Sequence, residues 1–134
     1  MLNQTKAQKQ LDDSLFQAVK DSEPSMVKLL LEQGADVNAR DDMGNTPFHC
    51  VYNGNSKIVQ ILLEHGADVN VKNINFLTPL HLVAIWGYSD VVKTLLENGA
   101  DINAMDIAGE TPMDIVKTKN YMPMIKLLQS HEAK

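Results

Sequence analysis

His49 and Cys50 stand side by side in TPFHC, and TPLH returns a second histidine, His81, again three residues after a threonine. A histidine beside a thiol is the material of a nucleophile–base pair, and two histidines in like settings suggest a shared metal ion. Neither chemistry fits the spacing. Neighbouring residues on a helix point different ways, so His49 does not serve Cys50 as a base. No carboxylate or second thiol stands where it would complete a metal set, and H-E-x-x-H does not occur. Cys50 is the single cysteine, which excludes an internal disulfide and a Cys-rich zinc site and leaves a quiet inner thiol as the expectation. GNTP and GETP lack the lysine and the spacing of a phosphate loop. His65, near the end of a predicted helix, reads as a surface residue, and His131 lies in the tail. No catalytic residue, cofactor or metal site is expected, and the chain reads as a non-enzyme.

The elements that carry these residues repeat. LLLEQGADVNAR begins at Leu29, ILLEHGADVNVK at Ile61 and TLLENGADINAM at Thr94, and Gly34, Gly66 and Gly99 fall 32 and 33 residues apart. GNTPFH, FLTPLH and GETPMD keep step with them, since Thr46, Thr78 and Thr111 are also 32 and 33 apart. Thr before Pro places a hydroxyl N-cap ahead of a proline at the first helical position, where its missing N–H is no loss. A short helix is predicted over Pro79 to Ile85, broken at Gly87. Val91, Val92, Leu95 and Leu96 then share one face of a second helix that ends before Gly99. An extended GADIN segment leads to the next turn. Its carboxylate, one per repeat, suits a recurring structural hydrogen bond better than acid–base work. One such unit cannot cover its own apolar face and must stack on copies of itself.

Thr-Pro-Leu-His followed by Gly-Ala-Asp-Ile-Asn at this period resembles the ankyrin repeat, over about residues 11 to 130. The resemblance implies an all-α solenoid of stacked helix-turn-helix units with projecting β-turn or hairpin fingers beside a concave face. It implies that His49 and His81 hydrogen-bond within and between neighbouring fingers, and that Asn38, Asn70 and Asn103 are of the kind hydroxylated in animal ankyrin repeats. Four repeats in a single domain over 1–134 are expected: 11–40 and 106–134 as terminal caps, 41–72 and 73–105 between them. The first has Asp13, Ser14, Leu15 and Phe16 in place of Thr-Pro-Leu-His; the last has Asp114 at the histidine position, Lys117 for a small alanine and Gln129 for a leucine. Polar substitutions of this kind keep the outer face of a cap soluble, so the expectation is a complete array, with residues 1 to 10 frayed or extending the first helix.

Composition narrows the partners. In 134 residues, 44% are hydrophobic and 22% charged, as in an ordinary globular domain, and the net charge is −5. The basic residues never cluster, which argues against nucleic acid. MLNQTKAQKQLDDS lacks the apolar core of a signal peptide, and no apolar run suits a membrane span, so a cytoplasmic or nuclear protein is expected. The resemblance places partner contacts on finger residues and on the exposed side of each first helix: Arg40, Asp42, Met43 and Asn45 in the second repeat; Ile74, Leu77, Ile85 and Trp86 in the third; Met105, Ile107 and Glu110 in the fourth. Stacking accounts for Leu80, Leu82, Val83 and Ala84 but not for this apolar excess, and Trp86 is the expected anchor. Phe76 stands where the other fingers have Gly44 and Gly109: either Asn75 takes the left-handed position or Phe76 does, with strain, and Phe76 either adds to the protein-binding patch or packs against an adjacent finger. YNGNSKIV is one residue shorter than AIWGYSDVV, and Tyr52 beside it either fills space or opens onto the concave face. The reading is an interaction module, adaptor or inhibitor, of a protein partner, acting as a monomer; the alternative is a self-associating structural protein using the same patch.

Overall fold

In the computed structural model, which describes residues 5–132, the Thr-Pro pairs start helices as predicted. The Thr78 hydroxyl accepts the His81 N–H at 3.3 Å, and Thr111 does the same for Asp114 at 3.2 Å. The helices are α1 (Lys6–Lys20), α2 (Pro24–Glu32), α3 (Ser56–Glu64), α4 (Pro79–Trp86), α5 (Ser89–Glu97), α6 (Pro112–Thr118) and α7 (Met122–Glu132), with a 3-10 turn at Pro47–Cys50. No strand occurs among the described residues, so the fold is all-α. Contacts divide the chain into two compact units, Met1–Asp68 and Val69–Lys134.

In the first unit α1 packs on the 3-10 turn and α2 on α3, around Leu15, Val19, Val27, Phe48, Ile58 and Leu62. Thr5 caps α1 by accepting the Gln8 N–H at 3.0 Å, so residues 6–10 extend the first helix, while 1–4 lie outside the described residues. Asp12, buried in α1, accepts the Asp36 N–H at 2.8 Å, and Gln8 donates to Asp12 and to the Gly34 carbonyl. One repeat later Asn38 does both jobs alone, donating to the Gly66 carbonyl at 3.2 Å and accepting the Asp68 N–H at 2.9 Å. Gln8 and Asp12 together therefore make on the first GAD segment the bonds that a single asparagine makes on the second.

The helix expected after Thr46 is a single 3-10 turn. Beyond Cys50 the Tyr52 N–H closes a three-residue turn onto the Cys50 carbonyl at 2.8 Å, about Val51 at φ −80° and ψ 61°. The cause is the missing residue. Asn55 fixes the start of α3, accepting the Lys57 and Ile58 N–H groups, and its amide donates to the Ser22 hydroxyl at 2.8 Å. With both ends held, the shorter span is taken out of the helix.

In the second unit α4 packs on α6 and α5 on α7, burying Leu80, Val83, Val91, Val92, Leu95, Val116, Met124 and Leu128. Gly87, at φ 83°, ends α4. Asn70 repeats the bridge of Asn38, donating to the Gly99 carbonyl and accepting the Asp101 N–H at 2.7 Å. Lys117 and Gln129 are exposed. Leu82 and Leu96, assigned to the core, are half-buried.

Candidate functional site

Three finger turns precede the Thr-Pro helices, and one device builds them all. Asp41 Oδ1 accepts the N–H groups of Met43 and Asn45, Asn73 Oδ1 those of Asn75 and Leu77, and Asp106 Oδ1 those of Ala108 and Glu110, all at 2.9–3.0 Å. The fourth residue of each turn closes back on the first: Gly44 to the Asp41 carbonyl, Phe76 to that of Asn73 and Gly109 to that of Asp106, each at 2.9 Å. That fourth position is left-handed, with φ of 74°, 63° and 79°. Phe76, not Asn75, therefore takes the strained conformation, at a cost of roughly 1–2 kcal/mol. Sequence reasoning passed over Asp41, Asn73 and Asp106, although each lies five residues before its Thr-Pro threonine. That spacing was the available signal.

On the second unit the two fingers are joined by a hydrogen bond from the Ile107 N–H to the Asn75 carbonyl at 2.9 Å. They carry four large apolar side chains in the open: Ile74 is 52% exposed, Phe76 51%, Met105 55% and Ile107 68%. The Lys72 ammonium lies 5.5 Å from the centre of the Phe76 ring and donates to the Met105 carbonyl at 3.3 Å. Three residues expected to face outward are corrected to half-buried: Leu77, Ile85 and Trp86. Leu77 and Leu82 hold the two positions around the start of α4 where an apolar pair sets the angle at which the chain joins a helix. Trp86 is drawn inward by the Gly87 reversal, which brings the Tyr88 ring to 6.2 Å from its own. Glu110 is also half-buried.

The finger of the first unit is more polar. Arg40, Asp42 and Met43 are exposed and Asn45 is half-buried, with Arg40 donating to the Gly44 carbonyl at 3.3 Å. Met43, Asp42 and Arg40 face Lys9, Asp13 and Phe16 of α1 across a cavity of about 300 Å³.

The histidines are structural. His81 Nδ1 accepts the Thr78 N–H at 3.1 Å, so its proton sits on Nε2, which donates to the Glu110 carbonyl of the next finger at 2.9 Å. His49 Nδ1 likewise accepts the Thr46 N–H at 2.9 Å. Both rings are buried. Asp114, exposed at the same position, caps its helix through a carboxylate oxygen on the Thr111 N–H at 3.0 Å. That bond, with the Thr111 hydroxyl, holds its pKa below the ordinary 3.8. Burial pushes the Cys50 thiol up from its ordinary value. Tyr52 is exposed, yet partial burial, together with its neighbour and hydrogen-bond partner Cys50, pushes its pKa up to about 12. A thiol in that state is a poor nucleophile. Among the described residues no group of three or more His, Cys, Asp or Glu is placed to hold a metal ion.

The family model for ankyrin repeats (3 copies) matches residues 15–106, more than half of the chain. The chain is an ankyrin-repeat protein. The match runs from α1 to the start of the finger turn at Asp106, and the finger turns, buried histidines and asparagine bridges are the parts that recur along the chain. Ankyrin repeats are generic protein–protein interaction modules, and the family is typically non-catalytic. No curated protein matches the chain. Among the described residues no helix is long and apolar enough to cross a membrane.

Proposed function

We propose that this ankyrin-repeat chain is a non-catalytic adaptor or inhibitor that holds a protein partner through the two fingers of its second unit. One observation carries the reading: Ile74, Phe76, Met105 and Ile107 stand open on joined fingers, where neither the turn geometry nor the core uses them. Large apolar groups in one exposed cluster mark an interaction surface. A preformed surface also loses less entropy on association than a flexible one. Trp86 is half-buried at the far end of α4, beside Tyr88, and the role of anchor passes to the finger residues. On the first unit, Arg40, Asp42, Met43 and Asn45 offer a more polar contact region. The partner is a protein rather than nucleic acid, in keeping with a net charge of −5 and scattered basic residues.

The test compares wild type with an I74A/I107A variant in affinity capture from the native cell extract, with circular dichroism to verify folding. Loss of specific captured proteins supports the reading, and identical sets of captured proteins refute it. A second reading rests on the same apolar cluster, which would serve as well for a second copy of the chain. Sedimentation velocity over a range of concentrations separates them: a monomer throughout favours an external partner.

A further inference from the structure

We infer that Asn53 is a modification site: it converts spontaneously, through a cyclic imide, to isoaspartate, which a carboxyl methyltransferase specific for isoaspartyl groups can then methylate. Two asparagines precede glycine, Asn53–Gly54 in the short span of the second repeat and Asn98–Gly99 after α5. A glycine has no side chain to obstruct the approach of its main-chain nitrogen to the amide carbon of the asparagine before it. The two pairs are alike in sequence and are held quite differently in the fold.

Asn98 closes α5. Its N–H donates to the Thr94 and Leu95 carbonyls at 3.1 Å, and its side-chain amide donates to the Thr94 carbonyl at 2.8 Å. The Gly99 N–H donates to the Leu96 carbonyl at 3.3 Å. The amide must leave Thr94, and the end of the helix must loosen, before the two groups can meet. Asn53 is exposed and lies outside any helix, and no hydrogen bond among the described residues holds its side-chain amide. The Gly54 N–H has one bond, to the Val51 carbonyl at 3.1 Å. Breaking it frees the nitrogen without touching the cap that Asn55 gives α3.

The Gly54 nitrogen then bonds to Asn53 Cγ and the Cγ–Nδ2 bond breaks. The proton from the Gly54 nitrogen leaves with the amide as ammonia. Water opens the ring: addition at Cγ gives aspartate, and addition at the Asn53 main-chain carbonyl gives isoaspartate. In isoaspartate the main chain runs through Cβ and Cγ, and the former carbonyl is a free carboxylate that can accept a methyl group from S-adenosylmethionine. The product thus adds a charge and one main-chain carbon to a span that is one residue shorter than its counterpart in repeat three.

The experiment ages the whole chain in mildly alkaline buffer, folded and in urea, and follows both pairs by mass spectrometry of tryptic peptides. Arg40 and Lys57 bound the peptide that holds Asn53, and Lys93 and Lys117 the one that holds Asn98. Methyl transfer from S-adenosylmethionine by an isoaspartyl methyltransferase reports the isoaspartate. In the folded chain Asn53 is expected to convert about ten-fold faster than Asn98, the ratio set by the additional hydrogen bonding that must open. In urea the two rates should converge. Folded N53Q, verified by circular dichroism, should lose most of its methyl acceptance, and N98Q should keep it. Equal rates in the folded chain, a ten-fold ratio that persists in urea, or an Asn53 that converts only in urea overturns the inference. So does methyl acceptance that is unchanged in N53Q.

Discussion

Repeat two and repeat three start alike, with TPFH and TPLH, and part within a turn. Both bury the histidine and use it to accept the N–H of the threonine three residues back. From there repeat three runs on to Trp86 as α4, while repeat two leaves the helix at Cys50. The finger ahead of each differs the other way: repeat two has glycine at the left-handed position and repeat three a phenylalanine. The local start is thus insensitive to the path of the chain beyond it. A cap is a closed set of hydrogen bonds that needs only four residues, whereas helix length answers to where the next element is pinned.

That contrast can be broken most forcefully at the histidines. If the cap is the shared unit, H49A and H81A should each cost about 2–3 kcal/mol in urea unfolding, because each orphans a buried N–H and leaves a hole. A much smaller loss at His49 would show that the cap does not hold without a helix behind it. Amide exchange addresses the bodies of the two elements. Amides at Val51 and Tyr52 should exchange on the order of ten-fold faster than those at Val83 and Ala84, which lie inside an α-helix; equal protection would mean that the turn after Cys50 is as firmly held as α4. At the fingers, G44F should lose about 1 kcal/mol and F76A should be less stable than F76G by about the same amount, both read by thermal unfolding. The smallest effect is at Asp114, the exposed version of the histidine cap. Its lowered folded pKa means that it contributes stability above its unfolded value, near 3.8, and that this is lost as pH falls through the folded value. D114A should therefore lose less stability than wild type between pH 4 and the acid extreme, measured by unfolding at successive pH values, taking about 4 as the ordinary carboxylate range.

The architecture was legible because it rests on spacing: two motifs in phase leave little freedom in where helices start and stop. The role of the two histidines came with the family resemblance that this spacing supports, not from the spacing itself. The one-residue deficit near Tyr52 was visible too, but not its destination, since that depends on Asn55 reaching Ser22 from a distant stretch of chain. Gln8 and Asp12 were not legible as a substitute for asparagine, because side chains of a helix there replace those of a loop and share no motif with it. At the surface, residue type separated apolar from polar but not open from half-covered. Ile74 and Ile107 stand out in solvent while Leu77 and Trp86 lean inward, and that difference lies in a helix approach and a glycine reversal rather than in hydrophobicity.

The paired donor and acceptor that Asn38 and Asn70 present to the next GAD segment work like a plug, and Gly34 with Asp36 is a socket already filled by Gln8 and Asp12. Anyone wishing to lengthen the chain at its amino side would have to empty that socket first. Grafting another repeat upstream while retaining Gln8 and Asp12 would set two plugs against one opening, so the splice belongs after residue 12, with an asparagine supplied by the newcomer.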